Sequence, residues 1–500
     1  MKQKVIIIGG GIAGLSAGVY AQKCGFDTTI LESHSIGGGI CTSWKRQGYL
    51  FEGGMHWLGG SDKKQPTNRM WRHIGALDDS VAIHYGEPFV EYNYKGTPIR
   101  FYRDVDKTER HLLELAPDDA KEIKKFCGNI RKFKNLVNPI SDLKGVKVTK
   151  KNPKSLSALL SMLPLIRIMG AYSKVSVVQY AKRFTHDGIR EAFSSMPGNE
   201  QGVAMFIMTM GALASGDAGF PEGGSLPFAQ RIAKTFISLG GEMLLNTHAE
   251  KVIVENGKAV GVMSINKTDN TSKQMNADAV IITIDTMAID NLFDTPPQAS
   301  WLEEMRRITK PTTAVFVSLG INADLRKYPK GFLIKLENPI KISNETIGSL
   351  LISNYAHDPC YSPVGKSALT MQLPGDTYDY WKELKENDRY AKEKQRIADE
   401  VIATITTHIP EVDGNVEVCD VATPLTYERY CGNWKGSWMS AITPEMKFKP
   451  YPSVVKGLDR VYFAGQRMIP PGGIPPAMTS GRTAVQYLCR DTGTLFISEE

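Results

Sequence analysis

The sequence predicts an α/β fold that begins with a Rossmann-type parallel sheet. Val5 to Ile8 is a continuous β-branched run, and glycines follow it at the spacing Gly9-x-Gly11-x-x-Gly14. A second apolar run ends at Glu32. An uninterrupted apolar run suits a strand buried on both faces of a parallel sheet. The 500 residues, 42% apolar and 23% charged, are those of an ordinary globular chain with more than one domain.

The first strand, helix and second strand each carry local signals. Leu15 to Lys23 has helical spacing, Gly25 is a suitable stop, and Thr28 to Leu31 is the second strand. In such a unit the glycine loop, which here includes Ala13, makes the tight turn and lets a pyrophosphate approach the backbone. Glu32 lies 32 − 14 = 18 residues beyond Gly14, where a carboxylate can accept from a ribose hydroxyl. These residues predict dinucleotide binding and leave FAD and NAD open.

Composition excludes several classes of protein. The net charge of +7 is modest for the length, so nucleic-acid binding is not expected. The seven cysteines are far apart and form no CxxC pair, which argues against disulfides and a metal site. The chain starts MKQK and then enters a strand, without the apolar region of a signal peptide. The longest apolar stretch, Leu156 to Tyr172, is broken by Pro164 and Arg167 and is too short to span a bilayer. We expect a cytoplasmic protein.

A glycine pair after Glu32 carries a resemblance to a known family. Gly38 and Gly39 follow six and seven residues after Glu32, and this pattern resembles the FAD-binding fingerprint of the amine oxidase and phytoene desaturase superfamily. Many members have an arginine after the pair, where this chain has Ile40. That departure is similar to the retinol saturase and carotenoid isomerase branch. The resemblance implies that the cofactor is FAD.

The stretch FEGGMHWLGG, residues 51–60, looks like the retinol saturase pattern F-D-x-G-x-H-Y-x-G. In such enzymes this loop lies alongside the isoalloxazine, which implies that Met55, His56 and Trp57 contact the flavin. The alternative is a glycine-bounded turn in which Trp57 and Leu58 only fill a core. His56 is the one candidate catalytic residue, because an imidazole could donate a proton to carbon or polarise the flavin edge.

The rest of the chain extends the resemblance. Segments 219–242 and 422–437 are similar to family motifs, and Asn256-Gly257 predicts a type I′ hairpin. Val252 sits where the family's backbone touches the adenine. No second GxGxxG occurs, which argues against a tandem NAD domain. The closing run resembles the family motif whose backbone amides reach the second phosphate, the ribityl chain and the flavin edge; its residues here are Gly465, Gln466, Gly473, Ile474 and Pro475.

The motifs predict a discontinuous FAD-binding domain formed by 1–75, 220–298 and 455–500. Residues 76–130 and 299–454 should form an inserted substrate domain around a mixed sheet, and 131–219 a helical lid. Thr312 to Ile321 is predicted as a strand of that sheet, and Tyr390 to Pro410 as an amphipathic helix. Residues 131–154 carry eight basic residues against one acid beside an apolar segment. That stretch is read equally as peripheral membrane contact or as a solvated basic face.

The resemblance implies an FAD-dependent oxidoreductase that acts on a carbon–carbon double bond of a lipophilic polyene or isoprenoid, as a saturase or a cis–trans isomerase. An oxidative carotenoid desaturase and a non-catalytic flavoprotein or lipid carrier are the alternatives. The electron donor or acceptor is left unknown. The apolar stretch from Phe206 to Phe220 is either the wall of a substrate tunnel or ordinary helix core.

Overall fold

The computed structural model describes residues 2–134, 140–150, 165–196, 202–443 and 445–498. A five-stranded sheet, parallel throughout, forms its first layer. All five strands come from the three segments predicted to form the FAD-binding domain, while the domain boundaries themselves stay a prediction. In spatial order the strands are Val461–Phe463, Ala279–Ile282, Lys4–Ile8, Asp27–Leu31 and Glu242–Leu244.

The first strand–helix–strand unit forms as predicted, with a longer helix. The helix spans Ile12–Lys23 and thus begins three residues before the predicted Leu15, because Gly11 already serves as its N-cap. A methyl group on Gly14 would lie 1.9 Å from the Gly9 carbonyl oxygen, so only glycine lets the helix approach the strand this closely. Gly25, with φ of +90°, follows the helix end in the left-handed region.

Two helices from distant parts of the chain pack with this first helix. Ser225–Ser238 and Ile474–Thr492 join it in one apolar core with the parallel sheet. On the other face lies an antiparallel meander, whose first hairpin turns at Asn256 and Gly257 with positive φ at both residues, as a type I′ turn requires. The meander consists of Thr247–Glu255, Lys258–Asn266 and Ser272–Asn276.

A seven-stranded mixed sheet forms the second large layer. Its strands come from the two segments predicted to form the substrate domain, and one neighbouring pair is parallel while the others are antiparallel. The helices Tyr378–Glu386 and Tyr390–His408 pack their apolar residues into its core. The order across the sheet is Val416–Ala422, Ala314–Ile321, Ser367–Pro374, Glu345–Asn354, Gly331–Ile342, Val90–Tyr94 and Thr97–Phe101.

A group of helices beside the edge strands Val90–Tyr94 and Thr97–Phe101 shares a separate core rich in phenylalanine. Ring pairs such as Phe126–Phe193, with centroids 5.3 Å apart, hold the group together. The helices of this group are Val105–Leu115, Ala120–Phe133, Val177–Ala181, Asp187–Ser194 and Val203–Ser215, with a further helical stretch at 165–172.

Part of the basic segment contacts the C-terminal part of the chain, which packs with the parallel sheet. Asp142 pairs with Arg482 of the last helix at 2.6 Å, and the Thr149 amide donates to the Phe496 carbonyl. Arg131 is ion-paired with Asp106 and Glu109, so it does not add to an open basic face. Residues 135–139 and 151–164, which hold much of the predicted lipid-facing stretch, lie outside the described residues. Membrane contact therefore stays a prediction.

No helix in the described parts of the chain combines the length and the apolarity that crossing a bilayer demands. The remaining short strands pair as Ser43–Arg46 with Tyr49–Glu52, Ile83–His84 with Phe220–Pro221, and Pro311–Thr312 with Met439–Ser440. The remaining helices are Pro66–His73, Ser300–Ile308 and Pro424–Cys431, and the 3-10 turns are Pro117–Asp119, Thr286–Leu292, Pro410–Val412, Trp434–Gly436 and Gln466–Met468.

Candidate cofactor and substrate site

One cavity of about 1850 Å³ lies between the parallel sheet and the mixed sheet. Its wall includes Ile8 and Leu31, the last residues of two parallel strands, together with Thr283 and Gly465, which lie just beyond two others. In open parallel sheets ligands bind outside the carboxyl ends of the strands, so the cavity lies where this fold places a cofactor.

Two glycine loops form the floor of the cavity at this end. The Gly38 amide donates to the Gly10 carbonyl at 2.9 Å, and Gly11 and Gly38 form an isolated parallel bridge. A methyl group on Gly39 would lie 3.2 Å from the Gly11 Cα. The two loops are therefore held against each other and present bare backbone to the cavity, as binding of a pyrophosphate requires.

Glu32 stands at the end of the second strand and lines the cavity. Its carboxylate accepts from the Gly10 amide at 2.7 Å and from the His34 amide at 2.8 Å. Burial raises the pKa of Glu32, and these two hydrogen bonds oppose that effect in part. His34 and Lys267 line the same region. Neither residue lies in a sequence motif, so the sequence alone gave no sign that they line the cavity.

The closing run of the chain forms the opposite wall. Gly465, with φ of +137°, donates its amide to the Ser480 hydroxyl at 2.9 Å. The Gln466 side-chain oxygen accepts from the Gly473 amide at 3.1 Å, which ties the two ends of the proline-rich loop together. Gly473 is the N-cap of the Ile474–Thr492 helix, so the positive end of a 19-residue helix faces the cavity.

A buried ion pair fixes this wall to the parallel sheet. The Arg467 guanidinium donates to both carboxylate oxygens of Asp285 at 2.8 and 2.9 Å, and the two side chains are only 1% and 3% exposed. Arg467 also donates to the Ser440 hydroxyl, and the Trp434 amide donates to Asp285. A bidentate pair with its remaining positions satisfied is the form in which a buried charge is tolerated. The sequence gave no sign of it, since the two residues are 182 positions apart.

The loop that carries Met55, His56 and Trp57 depends on a second buried carboxylate. Glu52, 3% exposed, accepts from the amides of Gly54 and Met55 at 2.9 and 3.1 Å. It also accepts from the Ser225 amide at 3.0 Å and the Tyr361 hydroxyl at 2.9 Å. Burial raises the pKa of this carboxyl.

His56 and Trp57 point into the cavity, while Leu58 is buried in the core. The His56 ring lies nearly parallel to Phe316, with centroids 6.5 Å apart, and edge-on to Trp438 at 5.5 Å. The His56 side chain is exposed to the cavity, and the protein that surrounds it lowers its pKa to about 4 by desolvation. His56 is therefore a neutral imidazole at neutral pH.

Part of the cavity wall is largely apolar, and we call this part the apolar arm. It is formed by one face of the helix Val203–Ser215 and by residues of the mixed sheet. The helix Val203–Ser215 turns Met205, Phe206 and Leu213 toward the cavity, whereas Ile207 and Met210 are buried in the helical core. One face of this helix therefore lines the cavity and the other is helix core, while its role as a substrate tunnel stays a prediction. The mixed sheet supplies the facing wall with a row across its strands, which is Leu333, Leu351, Gln372 and Ala422.

Most of the predicted site residues line this one cavity, and two do not. Gly14 is covered by the Gly9 carbonyl and acts through packing only. Val252 is 2% exposed and belongs to the core between the meander and the parallel sheet. An irregularity between Ala249 and Lys251 sets the register there, and Thr247 to Glu250 reach the cavity instead. The predicted residues that line the cavity are Gly9, Gly11, Ala13, Glu32, Gly38, Gly39, Met55, His56, Trp57, Gly465, Gln466, Gly473, Ile474 and Pro475.

Together the fold and the cavity are those of an FAD-dependent oxidoreductase, with a Rossmann-type FAD-binding sheet and a mixed-sheet substrate layer. The chain belongs to the flavin containing amine oxidoreductase family, whose model matches residues 12–489.

Known proteins are similar to this chain over nearly its whole length. It is 23% identical to the prolycopene isomerase of Daucus carota over 98% of this chain and 80% of the relative. It is 24% identical to the lycopene-forming phytoene desaturase of a Paracoccus species over 97% of both. It is 23% identical to the all-trans-retinol 13,14-reductase of Danio rerio over 86% of this chain and 76% of the relative. An oxidoreductase of Methanosarcina mazei shares the fold, with a TM-score of 0.59 at 16% identity, over 97% of this chain and 100% of its own.

The cofactor is FAD, and the cavity fits it. The glycine loops line the cavity with bare backbone, Glu32 lies in the same wall, and a helix N-terminus faces the cavity. Sequence motifs predicted these glycine loops. They gave no sign of Phe316 or Trp438, because the place of these two rings beside His56 follows from the pairing of distant strands.

Proposed function

We propose that this protein acts on a carbon–carbon double bond of a lipophilic polyene or isoprenoid, as a saturase or a cis–trans isomerase. One observation carries the proposal: a single cavity of about 1850 Å³ joins the glycine loops to an apolar arm. Pockets for one small ligand measure about 300–1,000 Å³, so this cavity has room for a dinucleotide and a second long molecule. The names of the carrot isomerase and the zebrafish reductase support the substrate class.

In this proposal the glycine loops at Gly9–Gly11 and Gly38–Gly39 hold the pyrophosphate and Glu32 accepts from the adenosine ribose. The segments Met55–Trp57 and Gly465–Pro475 hold the ribityl chain and the ring system. The side-chain oxygen of Gln466 already accepts from Gly473, so Gln466 acts mainly by shaping this loop.

Bound FAD supplies hydride and electron transfer to the site. The chain's own residues place the substrate and control its protons. The apolar side chains of Phe206, Leu333 and Leu351 hold the hydrocarbon and exclude water. His56, neutral and enclosed by Phe316 and Trp438, can hydrogen-bond at the reacting end but carries no positive charge at neutral pH.

An oxidative desaturase is the second candidate. The Paracoccus phytoene desaturase is as similar to this chain as the isomerase is, and it matches over 97% of its own length. The same cavity would hold the substrate of either reaction, so geometry alone does not choose the direction of electron flow.

The test is an anaerobic incubation of FAD-loaded protein with retinol, a lycopene precursor and an unsaturated fatty acid, with the flavin either oxidised or chemically reduced. A mass gain of two hydrogens only with reduced flavin identifies a saturase, and unchanged mass with altered retention identifies an isomerase. A loss of two hydrogens with oxidised flavin rejects both and supports the desaturase. If flavin neither reduces nor reoxidises with any substrate, the protein is a non-catalytic flavoprotein or lipid carrier.

A variant pair tests whether the apolar arm is the substrate site. Leu351→Trp, at a partly buried lining residue, should fill the arm and lower kcat/KM by at least about tenfold, because the new ring occupies the substrate's volume. Bound FAD should stay near the wild-type amount. Leu239→Trp, at an exposed leucine on the protein surface, is the matched control. Equal activity in the two variants would reject the arm as the substrate site.

A further inference from the structure

Lys330 is a cation in the cavity wall, which the apolar residues Leu333 and Leu351 also line. It stands just before the strand Gly331–Ile342, and its carbonyl accepts from the Asn354 amide at 2.7 Å. The Asn354 side chain, which is buried, donates to the carbonyls of Leu325 and Tyr328 and closes the preceding turn. The backbone of Lys330 is therefore fixed.

Neighbouring rings connect Lys330 to the His56 end of the cavity and not to the glycine loops. A methyl group on Gly331 would lie 2.8 Å from the Phe89 carbonyl oxygen, and one on Gly86 would lie 3.7 Å from the Lys330 Cβ, so the segment Gly86–Phe89 runs beside Lys330 and Gly331. Phe89 meets the Trp57 ring edge-on with centroids 6.4 Å apart, and Trp57 is next to His56. Lys330 is thus on the substrate side of the site.

Within the described residues, Lys330 forms no ion pair. The acid that influences it is Asp358, whose carboxylate already accepts from the amides of Gly223 and Cys360. Burial lowers the pKa of Lys330, and Asp358 opposes this effect in part. By contrast, Lys327, three residues earlier, is exposed and paired with Glu411.

A hydrocarbon gains nothing from a partly desolvated ammonium, whereas an anionic end group gains a charge-assisted hydrogen bond. The charge balance limits that anion. Asp358 offsets part of the positive field, and Arg103 stacks on the Tyr85 ring and does not line the cavity. A diphosphate would need more positive charge than this corner offers, and one carboxylate matches it.

We propose that Lys330 binds the terminal carboxylate of the substrate, so that the substrate is a long unsaturated acid, with its chain in the apolar arm and its double bonds beside His56. The proposal rests on the proposed function for the identity of the reaction, but the binding site can be tested without turnover.

The test uses full-length FAD-loaded protein and four probes with one chain: geranylgeranoic acid, its methyl ester, geranylgeraniol and geranylgeranyl diphosphate. Binding is measured by equilibrium dialysis. We expect the acid to bind about 10- to 100-fold more tightly than its ester, as a hydrogen bond to a charged group provides. Lys330→Met should remove this preference, Lys330→Arg should keep most of it, and Lys327→Met should leave it unchanged.

Several outcomes overturn the proposal: equal binding of acid and ester, an equal loss for all four probes in Lys330→Met, or binding of none of them. Tighter Lys330-dependent binding of the diphosphate also overturns it. FAD content and thermal unfolding of each variant show whether it is folded. Selective binding of the acid without turnover in either flavin state keeps the carboxylate site and rejects the reaction. If hydrocarbons are turned over and the acid binds no more tightly than its ester, the proposed reaction is kept and the carboxylate site is rejected.

Discussion

His56 is a neutral hydrogen-bonding group, because Phe316, Trp438 and the cavity wall lower its pKa to about 4. Its protonated form is disfavoured between pH 4 and the ordinary value near 6.5, so the pH dependence that an exposed histidine would cause should be absent. We expect the pH–rate profile to be flat around pH 6.5 and to lose activity only as the pH falls toward 4. The profile of kcat/KM from pH 4 to 8 checks this.

The same residue predicts a large effect on chemistry and a small one on cofactor binding. His56→Phe keeps the ring in the aromatic wall but removes both ring nitrogens. We expect kcat to fall by about 10²-fold or more, as when one hydrogen-bond donor at the reacting atoms is lost, with FAD content unchanged. His408→Asn, on the surface, is the control. A limb near pH 6.5 that disappears in His56→Phe would show that the histidine titrates as it does in water.

At the scale of elements, the Glu52 carboxylate joins the His56 loop to the start of the Ser225–Ser238 helix. Glu52→Ala removes the acceptor of the Gly54 amide, the Ser225 amide and the Tyr361 hydroxyl, at about 1–3 kcal/mol each. The Met55 amide keeps the Ser225 hydroxyl as an acceptor. We expect a free energy of unfolding lower by several kcal/mol and a loss of bound FAD. Glu52→Gln keeps one acceptor oxygen, so its stability and FAD content should lie between those of the wild type and Glu52→Ala. Denaturant unfolding and the flavin-to-protein absorbance ratio measure these two quantities. Glu255→Ala, at an exposed acid, is the control, and full FAD binding in Glu52→Ala would contradict this role.

Local signals explain how much of these elements the sequence predicted. The run Val5–Ile8, the glycine spacing and the pair Asn256-Gly257 each act within a few residues, and all three appear in the structure. Helix ends were less accurate, since the N-cap at Gly11 depends on loop geometry and not on apolar spacing. Val252 was placed at the cofactor by analogy with the family, whereas the structure buries its side chain in the core and brings Thr247 to Glu250 to the cavity.

Long-range pairs explain what the sequence could not predict. Glu52 and Tyr361 are 309 positions apart, and Asp285 and Arg467 are 182 apart. The sequence around an aspartate or glutamate does not show whether the folded chain will bury its carboxylate beside hydrogen-bond donors from another element. The same holds for Lys330, whose place in the cavity wall follows from the fold and not from a local sequence motif.

Over the whole molecule, the proposed FAD site is assembled from residues near both ends of the chain. Gly9–Gly11, Gly38–Gly39 and Gly465–Pro475 meet only when the parallel sheet has placed its first and last strands. A ligand that contacts all three segments stabilises the folded state alone, by about 2.7 kcal/mol when FAD is at 100 times its Kd.

Because one ligand contacts all three segments, its removal should affect them together. Removing FAD should increase amide hydrogen exchange in all three segments together, because each loses contacts with the same molecule. The strand Ser272–Asn276, at the far edge of the meander, should exchange at the same rate with and without FAD. Mass-detected exchange of both forms measures this. An FAD effect limited to Gly9–Gly11 would mean that the closing run does not hold the cofactor. A matching change at Ser272–Asn276 would mean that FAD acts on global stability and not through these contacts.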